Sequence, residues 1–392
     1  MTPEKESIIM GFRNACRERI ANKGIRCFAG GGKDGKIDMD IRFVKREVLK
    51  EKPDWKNLGF GKYMTDYMFV MDWTVEDGWH DARIEPHAPI VMEPSCVTLH
   101  YAQETFEGMK AYRTAEGKIQ LFRPEMNAKR MINSNARLCM PEFPVDMFVE
   151  AVKALVKVEE EWVPYEPETS LYIRPFMFAT EAALGVHMAT SYKFMIICCP
   201  VGAYYAEGIN PVKILVEDEL VRAVKGGTGF TKCGGNYAGS ILGQVKAAKL
   251  GYSQVLWLDG EHRKYVEEVG TMNIMFKIAG EIYTAPIEGT VLPGITRDSM
   301  IHLLRDWGYK VNETKLSIDD LMKAGHDGTL EEVFGTGTAA VISPVGELRY
   351  RDDVVTINDF KTGELTQRLY DTLTGIQWGK LEDKYGWTVE VK

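Results

Sequence analysis

Apolar and polar positions change their period along this chain, and those changes predict its elements. Between about 60 and 200, short apolar runs alternate with two longer helical stretches. The expected strands are Val97–Tyr101, Met109–Arg113, Ile119–Arg123, Ser170–Phe178 and Lys193–Pro200. One expected helix starts behind Pro124 and carries Met126, Arg130 and Ala136. The other runs from Val145 to Glu161, where Phe148, Val152, Leu155 and Val156 repeat at i, i+4, i+7 and i+8 on one apolar face. Periodicity lapses between Val201 and Pro211, where Gly202, Gly208, Asn210 and Pro211 gather, so this stretch reads as a linker.

Beyond it the pattern restarts. Strands are expected at Val212–Val216, Gln254–Leu258, Met272–Ile278 and Ile282–Thr284, with a helix at Tyr237–Leu250. A helix from about Thr296 aligns Met300, Leu303, Leu304 and Trp307. Ser317, with Asp320 three residues on, opens a short helix in the manner of a capping box. A strand around Ala339–Ser343 and a last helix near 364–378 complete the series. Strands and helices mix without a strict βαβ rhythm, which favours an α+β fold over a doubly wound sheet. The expected organisation is an extension over 1–60, a smaller domain over 61–200, a linker over 201–211 and a larger domain over 212–392.

Composition narrows the classes. The 392 residues suit about two domains at roughly 100–200 residues each. With 45% hydrophobic and 27% charged residues, extensive disorder is excluded. A net charge of −8 makes non-specific nucleic-acid binding a poor expectation. Seven scattered cysteines without a CxxC point to reduced thiols rather than a disulfide framework or a zinc ribbon, and no metal site is expected. The charged N-terminus lacks the apolar run of a signal peptide, and no apolar run is long enough to span a bilayer. A cytoplasmic protein without a membrane partner is the expectation.

Four stretches could carry chemistry. Val224–Tyr237 holds five glycines within ten residues, with Lys232 among them. It reads either as a surface turn with a solvated lysine or as a loop that brings a lysine close to a planar ligand, and a lysine amine forms Schiff bases with carbonyls. Glu267–Asn273 sets a carboxylate, a glycine and a threonine ahead of an apolar strand, which is either a plain strand entry or the partner of a pyridine nitrogen. Val291–Asp298 leads into a helix whose free N–H groups could take a phosphate, or is an ordinary turn capped by Thr296. Phe334–Ala340 is a Gly/Thr loop offering hydroxyls and N–H groups. One cofactor, pyridoxal phosphate, would unite lysine, carboxylate and phosphate cup. A further near-motif, Gly30-x4-Gly35-Lys36, has phosphate-loop spacing, but Ile37 stands where a hydroxyl is needed, so it reads as a flexible loop.

The chain resembles the branched-chain amino acid aminotransferases, within the fold-type-IV (class IV) pyridoxal-phosphate enzymes. The phrases that carry the resemblance are Leu99-His100-Tyr101, Phe106-Glu107-Gly108-Met109-Lys110, Leu171-Tyr172-Ile173-Arg174-Pro175, Lys225–Gly229, Lys232–Tyr237, Glu268–Asn273 and Leu292–Arg297. It extends from about Phe60 to Trp387. It implies a two-domain α+β fold, with a smaller N-terminal α/β domain, a larger domain with a barrel-like sheet, and the cofactor between them. Lys232 would carry the cofactor and shuttle the proton. Tyr237 would bond the ring oxygen and Glu268 the pyridine nitrogen. Arg130, the N–H groups of Ile295 and Thr296, and the hydroxyls of Thr271 and Thr338 would hold the phosphate. Tyr101, Phe106 and Tyr172 would line an apolar pocket, Thr338 and Ala339 would take the substrate carboxylate, Arg174 would admit a distal carboxylate, and Tyr204 would close over the site. The implied reaction moves the amino group of leucine, isoleucine or valine to 2-oxoglutarate in a homodimer. A D-amino-acid aminotransferase or an aminodeoxychorismate lyase on the same fold is the alternative, and Tyr172-x-Arg174 with the Tyr101/Phe106 pair argues against it. The chain departs from relatives in having Ala340 and Ser343 where some carry a redox CxxC, and Met64 where relatives often place a pocket Phe.

Overall fold

The computed structural model describes residues 39–202 and 209–392. Two nine-stranded sheets organise them. The first contains β1 (Arg42–Phe43), β2 (Tyr67–Thr74), β3 (Gly78–Pro86), β4 (Glu104–Phe106), β5 (Met109–Arg113), β6 (Ile119–Phe122), β7 (Ser170–Ala179) and β8 (Ser191–Val201). The second contains β9 (Val212–Glu217), β10 (Gln254–Leu258), β11 (Val266–Val269), β12 (Met272–Ile278), β13 (Glu281–Thr284), β14 (Val311–Glu313), β15 (Leu330–Gly337), β16 (Val341–Tyr350) and β17 (Asp353–Thr356). The last strand, β18 (Thr388–Glu390), returns to the first sheet and pairs with β6.

The helices are α1 (Val97–Tyr101), α2 (Pro124–Arg137), α3 (Val145–Val158), α4 (Gly234–Ala238), α5 (Ile241–Lys249), α6 (Ile295–Asp306), α7 (Ile318–His326) and α8 (Glu364–Gln377). The apolar face read on α3 is the face it buries: Phe148, Val152, Leu155 and Val156 join Phe69 and Phe194 of the first sheet in one core. In the second sheet β11, β10, β9, β16, β15 and β12 follow one another, and β12 pairs back onto β11, so six strands close into a barrel. A third core joins the two sheets: Met300, Ile301, Leu303 and Leu304 of α6 and Leu365, Leu369 and Leu373 of α8 pack with Tyr112 and Phe122. No helix among the described residues is long and apolar enough to cross a membrane.

Several expected elements differ. Val97–Tyr101, read as a strand, is a single helical turn closed by Ala102 in the left-handed region. Its Leu99 and Tyr101 are exposed, so a short apolar run here had no sheet to join. The expected helix over Tyr237–Leu250 starts earlier, at Gly234, and is split at Gly239–Ser240 into α4 and α5. The strand expected at Ala339–Ser343 starts at Val341, whereas Phe334–Gly337, expected as a loop, ends β15. Glycines in that stretch are strand residues packed against Met272. Strands β2 and β3 lie where no element is expected, although Tyr67–Met71 is a continuous buried run and buried Ala82 and Ile84 alternate with Arg83 and Glu85. Within the stretch expected as an extension, Arg42–Phe43 pairs with β3, and the N–H of Lys50 donates to buried Asp66. The Gly30–Lys36 loop and Tyr204 lie outside the described residues.

Candidate active site

The glycine-rich stretch is an ordered loop rather than a solvated turn. Asn236 donates to the carbonyls of Thr228 (2.8 Å) and Thr231 (2.9 Å), folding the loop around itself. Gly229 runs so close to a neighbour that a Cβ there would meet the Thr290 carbonyl oxygen at 2.4 Å. The first sheet and α2 hold Lys232 by its backbone: its N–H donates to Ser134 Oγ (2.9 Å), and its carbonyl accepts from the N–H of Phe106 (3.0 Å). The N–H of Gly234 donates to the Glu104 carboxylate.

The Lys232 amine is 2.7 Å from the Tyr237 hydroxyl and 4.8 Å from the centre of the Phe106 ring. Burial, reinforced by Arg130, draws it down from 10.5 to about 8. Burial pushes Tyr237 up to about 12. The result is an amine that loses its proton near neutrality, beside a hydroxyl that keeps its own.

Glu268 is buried on β11 and has two unequal oxygens. Oε1 accepts from Asn273 (3.0 Å) and from the N–H of Leu292 (3.2 Å). Oε2 lies 2.6 Å from Arg222 Nη1 but off any hydrogen-bonding direction, so it is buried without an aligned donor. Burial pushes the carboxyl up to about 7, and Arg222 opposes that shift. An N–H arriving at Oε2 would complete it.

Arg130 is buried and bound by Glu107, which accepts from its Nε (2.8 Å) and Nη2 (2.7 Å). Burial works against the guanidinium's charge, and Glu107 outweighs it. Its Nη1 donates to the Pro293 carbonyl (3.2 Å), directly ahead of α6. That helix is capped by Gly294, not Thr296, and no side chain satisfies its first N–H groups, so those of Ile295 and Thr296 are open to an anion. A Cβ on Gly294 would meet Asn273 Oδ1 at 1.9 Å, so β12, which pairs Asn273 with Glu268, and the α6 start are in direct apposition. Thr271, exposed at the β11–β12 turn, borders a small cavity with Arg222, Tyr237 and Ser240. The hydroxyl of Thr336 is buried without a partner.

On the other side of Lys232, Arg174 donates to the Tyr172 hydroxyl (2.9 Å), lies over the Phe106 ring at 4.8 Å, and keeps a buried Nε without a partner. Phe60 meets Tyr172 edge-on at 4.9 Å, and Met64 packs with Tyr172, Cys199 and Val201. Thr338 and Ala339 form the turn between β15 and β16, and Lys110 donates to the Ala339 carbonyl (2.7 Å). Tyr101 stands elsewhere: it is 39% exposed, and its hydroxyl accepts from the N–H of Gly185. Within one chain it therefore does not join Phe106 and Tyr172.

Sequence reasoning did not assign Glu107, Lys110, Arg222, Asn273 or Phe60. Glu107 and Lys110 stood inside a recognised phrase, but nothing local says that a Glu is fully buried against an Arg 23 residues away.

A buried amine, a carboxylate whose second oxygen lacks an aligned donor and an open helix start beside a buried guanidinium fit a pyridine ring that bears an aldehyde and a phosphate. The class so defined is a lysine-dependent pyridoxal-phosphate enzyme. Comparisons agree with it. The family described as amino-transferase class IV matches residues 104–348. A probable branched-chain-amino-acid aminotransferase of Staphylococcus epidermidis is 56% identical over 352 residues, covering 90% of this chain and 98% of that protein. The branched-chain-amino-acid aminotransferase 2 of Bacillus subtilis is 53% identical over 351 residues, covering 90% and 97%. Among solved structures, a T.th. branched-chain amino acid aminotransferase with pyridoxamine 5'-phosphate is 29% identical with a TM-score of 0.68, covering 82% of this chain and 98% of that one. The Escherichia coli branched-chain amino acid aminotransferase is 26% identical with a TM-score of 0.68, covering 83% and 99%.

The chain belongs to the class IV aminotransferases, on the two-domain fold-type-IV architecture. It is an aminotransferase, and its cofactor is pyridoxal 5'-phosphate.

Proposed function

We propose that the protein is a branched-chain amino acid aminotransferase, moving the amino group of L-leucine, L-isoleucine or L-valine reversibly to 2-oxoglutarate. The observation that carries the reading is the neighbourhood of Lys232: an aromatic wall of Phe106, Tyr172 and Phe60 that nevertheless contains a guanidinium, Arg174, with a buried unsatisfied N–H. Aromatic surface suits a branched aliphatic side chain, and the unsatisfied N–H suits the distal carboxylate of glutamate in the same space.

When bound, the cofactor supplies an electron sink for the substrate's Cα. Lys232 would hold it covalently and, once released, take and return the Cα proton at Nζ, the Tyr237 hydroxyl fixing that amine's position. Glu268 Oε2 would receive the pyridine N–H. Arg130, the N–H groups of Ile295 and Thr296, and Thr271 and Thr338 would hold the phosphate; Thr338 and Ala339 would present N–H groups to the substrate carboxylate. Tyr204, beyond the described residues, is read as a cover to the site.

The two sheets are read as two domains joined over 201–211, with β18 handed back to the first. A homodimer fits the surface: Tyr101, Leu184 and Val186 are 39%, 71% and 86% exposed on neighbouring segments tied by the Tyr101–Gly185 bond. An apolar group of that kind suits burial by a second copy. The cytoplasm is the compartment we infer, from the expected reduced thiols and the five described cysteines, all free.

The test is a donor scan with 2-oxoglutarate. L-leucine, L-isoleucine and L-valine should give glutamate, and D-alanine should not. A Lys232→Ala protein that transaminates leucine at the parent rate, or a parent that prefers D-alanine, overturns the reading.

A further inference from the structure

Lys110 lies on β5, in the interior of the first sheet, and is only 7% exposed. Among the described residues no carboxylate is within ion-pairing distance of its amine, and the bond that the amine makes is to a backbone carbonyl, that of Ala339, at 2.7 Å. Burying an ammonium without a counter-ion is costly, and an apolar side chain of similar length would avoid that cost. The position therefore calls for a reason outside the packing of the sheet.

Register supplies one. Lys110 stands directly opposite Tyr172 in the β5–β7 pair, so both side chains leave the same face of the sheet, and Arg174, two residues on, shares it. That face looks onto the aromatic wall around Lys232. The carbonyl Lys110 reaches belongs to the other sheet, in the turn that links β15 to β16 across the Gly337–Val341 pair.

Little within this turn holds it. Ala339 and Ala340 have no polar side chains. The N–H of Ile342 closes it on the Ala340 carbonyl (2.7 Å), while Val341, a β-branched residue, sits at φ +62, in the left-handed region. A strained three-residue connection is steadied by an outside tie that keeps its peptides aimed, and the Lys110 amine is placed to be that tie.

We propose that Lys110 is a positioning residue for the amino-acid substrate: by holding the Ala339 carbonyl it aims the Thr338–Ala340 turn, and hence the N–H groups that receive the α-carboxylate. The inference rests on the branched-chain aminotransferase reading of this site. It assigns Lys110 no contact with the cofactor and no proton transfer.

The experiment uses the holoenzyme and a substrate-shaped acid that cannot react, 4-methylvalerate, against its amide, 4-methylvaleramide, binding being read from the cofactor's absorbance. Lys110→Met removes the donor at similar length; Lys110→Gln keeps a neutral donor. For Lys110→Met the dissociation constant for the acid should rise at least about tenfold. The amide should move less than about twofold, since it lacks the charge the N–H groups select. KM for leucine should rise more than kcat falls, cofactor affinity should hold within about twofold, and Lys110→Gln should recover most of the loss. Acid binding by Lys110→Met within about twofold of the parent overturns the proposal. So does equal loss of acid and amide, which marks a general collapse of the pocket, and so does a Lys110→Gln protein as impaired as Lys110→Met. A parent that binds neither probe and does not accept leucine overturns the branched-chain reading itself, and this proposal with it.

Discussion

The pH at which Lys232 becomes a nucleophile follows from where it is buried. Burial first, then Arg130 and Arg174, lower its proton affinity, while Glu107 and Tyr172 partly restore it, and the outcome is a fall from 10.5 to about 8. That fall is worth about 3 kcal/mol at ~1.36 kcal/mol per tenfold change in proton affinity. At pH 7 about one amine in eleven is neutral, against about one in three thousand for an ordinary lysine, a gain of about 300-fold in the reactive form. The sign for stability follows. Below pH 8 folded and unfolded chains both keep the proton, and the folded chain bears the full cost. Between 8 and 10.5 the unfolded chain keeps it and the folded chain does not, so stability rises with pH until the cost is gone. Stopped-flow mixing of apoenzyme with pyridoxal phosphate should show loading that speeds up about tenfold per pH unit below the folded value and levels off above it. Lys232→Met apoenzyme should resist urea better than the parent at pH 7 by about 3 kcal/mol, the advantage fading by about pH 10.5. Loading that climbs steadily through pH 10, with a Lys232→Met apoenzyme no more stable than the parent, would refute this account.

Three further outcomes are expected. Glu107→Gln leaves the buried Arg130 guanidinium without its counter-charge, so the apoenzyme should lose about 3–5 kcal/mol in denaturant unfolding, partly restored by pyridoxal phosphate; a loss under about 1 kcal/mol contradicts the pairing. Glu268→Gln removes the charge-assisted bond proposed to the pyridine nitrogen, worth about 1.5–3 kcal/mol, so cofactor affinity should fall about 10- to 150-fold in an absorbance titration, and an unchanged affinity would remove Glu268 from that role. Gly294→Ala forces a methyl group onto Asn273 at the helix start proposed to face the phosphate, so cofactor release on dialysis should quicken, at a cost of about 1–3 kcal/mol, while the barrel core around Leu256, Ile274 and Phe276 keeps its thermal transition; release at the parent rate would show that the α6 start does not hold the phosphate.

Much of the fold was legible because its signals are local. The apolar face of α3, the Ser317 cap, whose hydroxyl accepts from the N–H of Asp320, and strands such as β10 and β12 follow from spacing alone. Val97–Tyr101 was misread because a five-residue apolar run suits a strand or a helical turn equally, and the neighbours decide. Strands β2 and β3 fall outside the expected elements although Tyr67–Met71 is a continuous apolar run; what order along the chain does not give is that β2 pairs with β8, more than a hundred residues away. At the site, Lys232, Tyr237 and Glu268 were named because unusual glycines or a strand entry marked them, and the structure gathers Lys232 with Tyr237 directly. Tyr101 matched the same family phrase as Phe106, yet one chain alone leaves it at the surface.

The sequence by itself determined which residues are candidates for chemistry and which family pattern they spell, since a lysine among glycines, a Glu ahead of a strand and a turn leading into a helix are properties of neighbours along the chain. Tertiary structure alone decided what those groups are able to do. The amine near 8, the carboxylate with one oxygen left open, the guanidinium neutralised by Glu107 and the turn tied by Lys110 all depend on desolvation and on partners from distant strands. Charge interactions and proton affinities act through space and strengthen as water is excluded, so they are set by the closing of the two sheets on one another and not by order along the chain.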